Sequence, residues 1–329
     1  MVLIQGKRLA HLLEVRDLKT QFDTRWGVLK AVDGVSFDLD AGETLGIVGE
    51  SGSGKSITAM SIVGLVPSPA GRIESGSITF DGEDLVKKSQ DELREIRGTK
   101  LAMVLQDPMA SLNPMFRIGD QVGEGLMVHR GMRGAALRDK VLGLLRAMRI
   151  PSPEARMSAW PHQLSGGMRQ RVVGAIGISC EPKLLIADEP TSALDATIQL
   201  QYLTLLQELQ ERTGLAIIFI THDFGVVARL CHRAAVMYAG RIVELAKVDD
   251  IFARPRHPYT QGLLASIPDP TRPAGRLSAI PGQPPELHRL PPGCPFAPRC
   301  AKADARCIAE RPPLEASAER HDVACWHPD

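Results

Sequence analysis

Apolar residues along this chain gather into short, dense runs separated by longer amphipathic stretches, and the alternation repeats. The runs at 45–48, 183–187 (apolar after its lysine) and 215–220 predict strands buried on both faces. Residues 12–15 and 35–39 show partial apolar/polar alternation and predict two more strands, with a polar turn region at 22–27 between them. Further strand candidates are 73–80 and 100–105, the second delivering Gln106 before Asp107-Pro108 stops it. From about 107 to 178 the character is helical. Helical spacing is clearest at 135–149, through Leu137, Val141, Leu144, Leu145 and Met148, before Pro151, Pro153 and Pro161 break the chain. A helix opening near Ser165 carries Val172, Val173 and Ile176, and 196–212 reads as a long amphipathic helix. Strands alternating with helices predict an α/β fold on a mostly parallel sheet, which takes its ligands at the strand carboxyl ends.

Composition narrows the setting. A chain of 329 residues exceeds what one core usually uses, so two or three units are expected, and 44% hydrophobic content suffices for a sizeable interior. A formal net charge of +1 gives no support to a nucleic-acid-coating surface. No apolar run approaches the roughly 18 residues of a membrane helix. Residues 1–10 lack the apolar stretch of a signal peptide, so a cytosolic protein, or one held at a membrane through partners, is expected.

Candidate chemistry concentrates where the buried strands end. The 45–48 run enters Gly49-Glu50-Ser51-Gly52-Ser53-Gly54-Lys55-Ser56, which fits G-x-x-x-x-G-K-S/T, and a helix-compatible stretch at 57–65 leaves it. The glycines let successive N–H groups face phosphate oxygens, and the helix N-terminus adds its positive dipole end. Lys55 is placed to reach β- and γ-phosphates, and the Ser56 hydroxyl to sit on Mg²⁺. A Gly/Ser-rich turn that binds nothing is the plainer reading; a full match between strand and helix displaces it. The 183–187 strand ends in Asp188, a metal-holding carboxylate, and Glu189, which would orient or deprotonate an attacking water. The 215–220 strand leads to His222. Taken singly, these are strand ends running into solvent and a structural histidine; beside a phosphate loop they join a nucleotide site. Ser165 is a good N-cap, and Gly166 and Gly167 leave a second set of helix N–H groups accessible to an anion.

Together these motifs resemble the ATP-binding-cassette (ABC) ATPases. In the family's order stand the P-loop at 49–56, Gln106 as the Q-loop and Leu164-Ser165-Gly166-Gly167-Met168 as the signature. Walker B at 184–188, Glu189, the D-loop Ser192-Ala193-Leu194-Asp195 and the switch histidine His222 follow. The resemblance implies a RecA-like α/β core over 1–106 and 181–250, with an antiparallel β region. It adds an inserted helical subdomain at 107–180 and a proline-rich, cysteine-containing extension at 251–329. It also implies two cassettes packed head to tail, with ATP between one P-loop and the other cassette's signature. Closer still is the peptide-importer branch (dipeptide/oligopeptide/nickel). That likeness is carried by the P-loop and by Gln106-Asp107-Pro108-Met109-Ala110-Ser111-Leu112-Asn113-Pro114. Ile186-Ala187-Asp188-Glu189-Pro190-Thr191, Val236-Met237-Tyr238-Ala239-Gly240-Arg241 and Arg254-Pro255-Arg256-His257-Pro258-Tyr259-Thr260-Gln261-Gly262-Leu263-Leu264 carry it further. Met168 is similar to the first of the two ATPase subunits of such importers.

What this implies is specific. Lys55 and Ser56 bind phosphate and Mg²⁺, Asp188 holds the metal, and Gln106 senses metal and water. Glu189 polarises the water and His222 positions the γ-phosphate. Ser165, Gly166, Gly167 and Asp195 complete the shared site, and adenine stacks on Trp26, or on Phe22. The implied partners are a second, different ATPase chain, two transmembrane permease subunits and an extracytoplasmic substrate-binding protein, with no nucleic acid. The implied location is the cytoplasmic face of the inner membrane, held peripherally. Importers of nickel, haem or other small solutes use the same ATPase. A soluble cassette ATPase acting on nucleic acid or ribosomes is the more distant alternative; one P-loop, one signature and no heptad arm weigh against it.

Beyond Ser266 prolines dominate, disfavouring helices and central strands. Here lie Cys294, Cys300, Cys307 and Cys325, spaced C-x5-C-x6-C-x17-C. A reducing compartment disfavours disulfides, and spacing alone leaves zinc and iron–sulfur level. The resemblance to peptide-importer ATPases tips the expectation to a 4Fe-4S cluster. Cys180 and Cys231 are expected to be small buried hydrophobes.

Overall fold

The computed structural model describes residues 11–192, 194–267, 279–316 and 320–329, with Pro108 and Met109 described by backbone alone. The reading of 1–10 and Ala193 of the D-loop lie outside the described residues. Two sheets form. The smaller is antiparallel, in the order β2-β1-β4-β5: β1 (Leu13–Thr24), β2 (Gly27–Leu39), β4 (Gly71–Phe80) and β5 (Glu83–Asp84). The larger has the order β11-β10-β9-β3-β8-β7-β6. Its strands are β3 (Thr44–Val48), β6 (Leu101–Val104), β7 (Leu184–Asp188), β8 (Ala216–Thr221), β9 (Arg233–Tyr238), β10 (Arg241–Lys247) and β11 (Asp322–Val323). From β6 to β9 every neighbouring pair is parallel, as the β/α alternation predicts, and an antiparallel edge of β10 and β11 follows.

Period-2 geometry explains how the central strands are shared. Leu184 and Ile186 on β7, with Ile218 and Ile220 on β8, face the smaller sheet, where Val15, Phe37 and Leu39 complete one core. The alternate residues Leu185, Ala187, Ile217 and Phe219 face the helices. Ala196–Thr213 and Phe224–Leu230 are among those helices, and others lie in the chain between β6 and β7. Ile118–Arg130, Gly134–Ala147 and Gly166–Ile178 bury Val122, Leu126, Val141, Leu145 and Val172 among themselves. Among the described residues no helix is long and apolar enough to cross a membrane.

Three expectations are revised. β1 and β2 are 12 and 13 residues long. Phe22 to Thr24 belong to strand rather than turn, and the turn itself is Arg25-Trp26. Pairing of β1 with β2 on one side and β4 on the other supplies the ladder that weak local alternation does not announce. β9 and β10 are not among the expected strands, although 234–238 is an unbroken apolar run; β9 pairs with β3 on one side and with β10 on the other.

The tail contributes little regular structure, as its prolines foretell: β11 is a two-residue edge strand and Ala305–Ala309 a short helix. It is nonetheless anchored. Glu244 on β10, fully buried, accepts the backbone N–H groups of Arg256 (2.7 Å) and His257 (2.9 Å) and pairs with His321 Nε2 at 2.7 Å. Tyr259 and Phe296 join Val48 and Tyr238 in a third core.

Ile186 is wholly buried between the sheets. Ile186→Ala is expected to lower stability by about 2–5 kcal/mol through lost burial and the cavity left behind, read as a fall in the urea midpoint of the purified chain.

Candidate functional site

β3 feeds the loop that the pattern of glycines singles out. Gly49 (φ +154°) and Gly54 (φ +101°) adopt backbone conformations that L side chains rarely take. Packing enforces the same choice: a Cβ at Gly49 would run into the Met237 carbonyl on β9, and one at Gly54 into the Ala31 carbonyl on β2. The curl opens directly into the helix Lys55–Ile62. Lys55 is only 5% exposed, and its ammonium donates to the carbonyls of Gly49 (2.8 Å) and Glu50 (3.0 Å). Burial pulls its pKa down, resisted by the charges of Glu189, Asp188 and Glu50.

Asp188, at the carboxyl end of β7, is 4% exposed. Burial raises its pKa, helped by the neighbouring Glu189 charge and opposed by a hydrogen bond from Ser56 and by Lys55. Among the described residues Asp188 Oδ1 and Ser53 Oγ are buried without a hydrogen-bond partner. An orphaned carboxylate oxygen beside the Ser56 hydroxyl is a hard-oxygen donor set of the kind Mg²⁺ takes, and it fits that ion.

Glu189 follows in the left-handed region (φ 44°), an arrangement costing about 1–3 kcal/mol in a non-glycine residue and commonest at functional sites. Its Oε2 accepts from Gln106 Nε2 at 3.0 Å and lies 3.4 Å from His222 Nδ1. Three strand ends thus converge on one carboxylate. The cleft they border, about 510 Å³, is lined by Ser51, Gly52, Ser53, Gly54, Lys55, Ser56 and Ile57, with Gln106, Glu189 and His222. Phe22, Leu29, Ala31 and Leu287 form its apolar side.

Other candidates lie elsewhere. Trp26 is 65% exposed in the β1–β2 turn, with the Arg25 guanidinium 4.0 Å over its ring; Phe22, not Trp26, lines the cleft. Ser165 caps Gly166–Ile178 by accepting from Met168 N–H at 3.3 Å, and Asp195 caps Ala196–Thr213 by accepting from Ile198 N–H at 2.9 Å. These two caps pack together, since a Cβ on Gly167 would meet Ile198 Cγ2 at 2.8 Å. Neither Ser165, Gly166, Gly167 nor Asp195 lines the cleft of this chain. Sequence reading missed Tyr259, Arg299 and Leu287, three residues of the C-terminal stretch that touch the loop or the cleft. An arginine inside a proline- and cysteine-rich tract, far from any amphipathic face, was the available signal for Arg299.

The fold and site define a P-loop ATPase of the α/β class. A family model described as "ABC transporter" matches residues 32–192, and one described as "Oligopeptide/dipeptide transporter, C-terminal region" matches 243–307. The chain is 48% identical to the dipeptide transport ATP-binding protein DppD of Bacillus subtilis, over 97% of this chain and 95% of that protein. It is 50% identical to the oligopeptide transport ATP-binding protein OppD of Salmonella typhimurium, over 96% and 94%. Among solved structures, the dimeric ATP-binding cassette MJ0796 bound to ADP and Pi superimposes with a TM-score of 0.66 at 27% identity, covering 72% of this chain and 98% of that one. The chain belongs to the ATPases of the ABC transporter family, in their oligopeptide/dipeptide group.

The expected 4Fe-4S cluster is corrected. Neither family description nor any of these relatives' names indicates one. Cys294, Cys300, Cys307 and Cys325 do approach one another, but the cavity they border is about 10 Å³, the space of roughly one water. Among the described residues no three of these sulfurs form a close ligand set; the atoms within 4.8 Å of one another belong to Asp304, Cys307 and His327. Burial pushes the thiols of Cys294 and Cys307 up and that of Cys325 to about 11, which favours the protonated form. The zinc alternative gains no support from the same geometry. Cys180 is buried among the helices, while Cys231 is half-buried against Gly46.

Because burial raises Asp188's pKa, its protonated form is the one the fold favours, and that contribution is lost as pH rises through the raised value. Asp188→Asn is therefore expected to leave the ligand-free chain as stable or more stable at neutral pH, while abolishing the stabilisation that MgATP gives the wild type. Melting temperatures with and without MgATP, in mildly acidic and in neutral buffer, check both.

Proposed function

We propose that this chain is the ATP-hydrolysing, energy-coupling subunit of an importer for di- or oligopeptides. The observation that carries the reading is Glu189 held between Gln106 and His222 at the mouth of a P-loop whose lysine is already in place. The matched C-terminal region and the relatives' names support peptides as cargo. Residues 1–106 and 181–250 serve as the nucleotide-binding core, 107–180 as the inserted helical subdomain and 251–329 as the extension. Adenine stacks on Trp26 or on Phe22, and Phe22 is the one that lines the cleft.

Bound Mg²⁺ would offset phosphate charge. The chain's own groups do the rest. P-loop N–H groups and Lys55 orient the phosphates, and Ser56 and Asp188 provide oxygens for the metal. Gln106 and Glu189 hold the attacking water, Glu189 takes its proton, and His222 steadies the γ-phosphate. Ser165, Gly166 and Gly167 lie outside the cleft of their own chain and are assigned to a partner's, in a head-to-tail pair with a second, different ATPase chain. The solved cassette that this chain resembles is described as a dimer, which supports the pairing. Two permease subunits in the inner membrane receive the motion, and a peptide-binding protein outside delivers cargo. The chain sits peripherally on the cytoplasmic face.

Glu189→Gln is expected to cut ATP turnover about 10²–10⁴-fold while ATP affinity stays within a few-fold, measured by phosphate release and equilibrium binding. In the assembled complex, a peptide-loaded binding protein should raise turnover. If it leaves turnover unchanged while nickel- or haem-loaded proteins raise it, the peptide assignment fails.

A further inference from the structure

Glu50, the second residue of the P-loop, does not line the cleft. Its side chain points back into the molecule, to a partner 249 positions away. Arg299 Nη1 and Nη2 clasp the two Glu50 carboxylate oxygens at 2.7 and 3.0 Å, a bidentate pair with the arginine side chain only 4% exposed. The Glu50 backbone N–H donates to Tyr259 Oη at 2.9 Å. Its carbonyl is one of the two that hold the Lys55 ammonium. One residue therefore joins the P-loop lysine on one side to two residues of the C-terminal stretch on the other.

Those two residues are themselves fixed. Arg299 Nε donates to the Pro281 carbonyl at 2.9 Å. Tyr238, Tyr259 and Phe296 pack as an aromatic trio with centroids 4.6 to 5.4 Å apart. A second contact reaches the cleft itself, where Leu287 joins Phe22 and Leu29 in its lining and its carbonyl accepts from Lys30 N–H at 3.5 Å.

We propose that the C-terminal extension is a working part of the nucleotide site, with Arg299 as a positioning residue that sets the P-loop through Glu50. Docking of residues 279–299 and binding of MgATP then stabilise one another, since each favours the same loop geometry and linkage is reciprocal. The inference rests on the ATPase reading above and adds to it a route by which the extension tunes ATP affinity.

The test compares full-length wild type with Arg299→Met, which keeps the packing and loses the fork, Arg299→Lys, which keeps the charge with one point of contact, and Glu50→Gln. MgATP affinity is measured at equilibrium and hydrogen exchange is followed over 279–299. Arg299→Met and Glu50→Gln are each expected to weaken MgATP binding about tenfold, within the usual range of coupling between sites, the double variant no further, and Arg299→Lys less. Protection of 279–299 should rise with MgATP in wild type and not in Arg299→Met. If Arg299→Met does not fold, Arg299→Lys and Glu50→Gln carry the test by the same measurements. Wild-type affinity in these variants, even with a lowered melting temperature, overturns the proposal and marks the pair as structural only. A wild type that binds no MgATP refutes the ATPase reading instead.

Discussion

Burying Lys55 beside Asp188 and Glu189 is the arrangement on which the remainder of this molecule depends. An ammonium at 5% exposure and a carboxylate at 4% are unfavourable in a dry interior unless charge and hydrogen bonds compensate. Part of the compensation is mutual attraction; part is the pair of P-loop carbonyls that cap the lysine. The orphaned Asp188 oxygen is left over, and a bound Mg²⁺ would give it a partner.

Holding such a cluster requires rigid walls. Three adjacent parallel strands, β3, β7 and β8, end at one level and aim the P-loop, the Asp188-Glu189 pair and the approach to His222 at one another. Their residues alternate between two cores, one shared with the antiparallel sheet and one with the helices, so neither face can slip without exposing apolar surface. The third core, centred on Tyr238, Tyr259 and Phe296, carries the C-terminal stretch up to the back of the P-loop. This C-terminal stretch is thus continuous with the framework of the site.

The cysteines show where a resemblance misleads: spacing left zinc and iron–sulfur level, and the family likeness tipped the expectation to a 4Fe-4S cluster. Four thiols near one another in sequence and in space suggested a ligand set, yet their shared cavity has room for about one water. Cysteine is also a small hydrophobe, and packed beside Phe296 and Trp326 these residues are built into a compact, proline-rich lobe.

Much of the site was legible from the chain alone because its parts are local. The 49–56 loop announces itself through its glycines, since Gly49 and Gly54 take positive φ values that L side chains rarely adopt. Asp188, Glu189 and His222 could be read because apolar runs that must be buried strands deliver them to an edge. The order of these motifs, with the signature at Leu164 to Met168, marked the family. What tertiary structure decided are the pairings of residues far apart in sequence. The length of β1 came from ladders on both its sides, and the cleft's aromatic wall from Phe22 rather than the exposed Trp26. The clasp between Glu50 and Arg299 belongs to the same group. No propensity or period encodes it; a long-range ion pair exists only once two cores have brought its ends together.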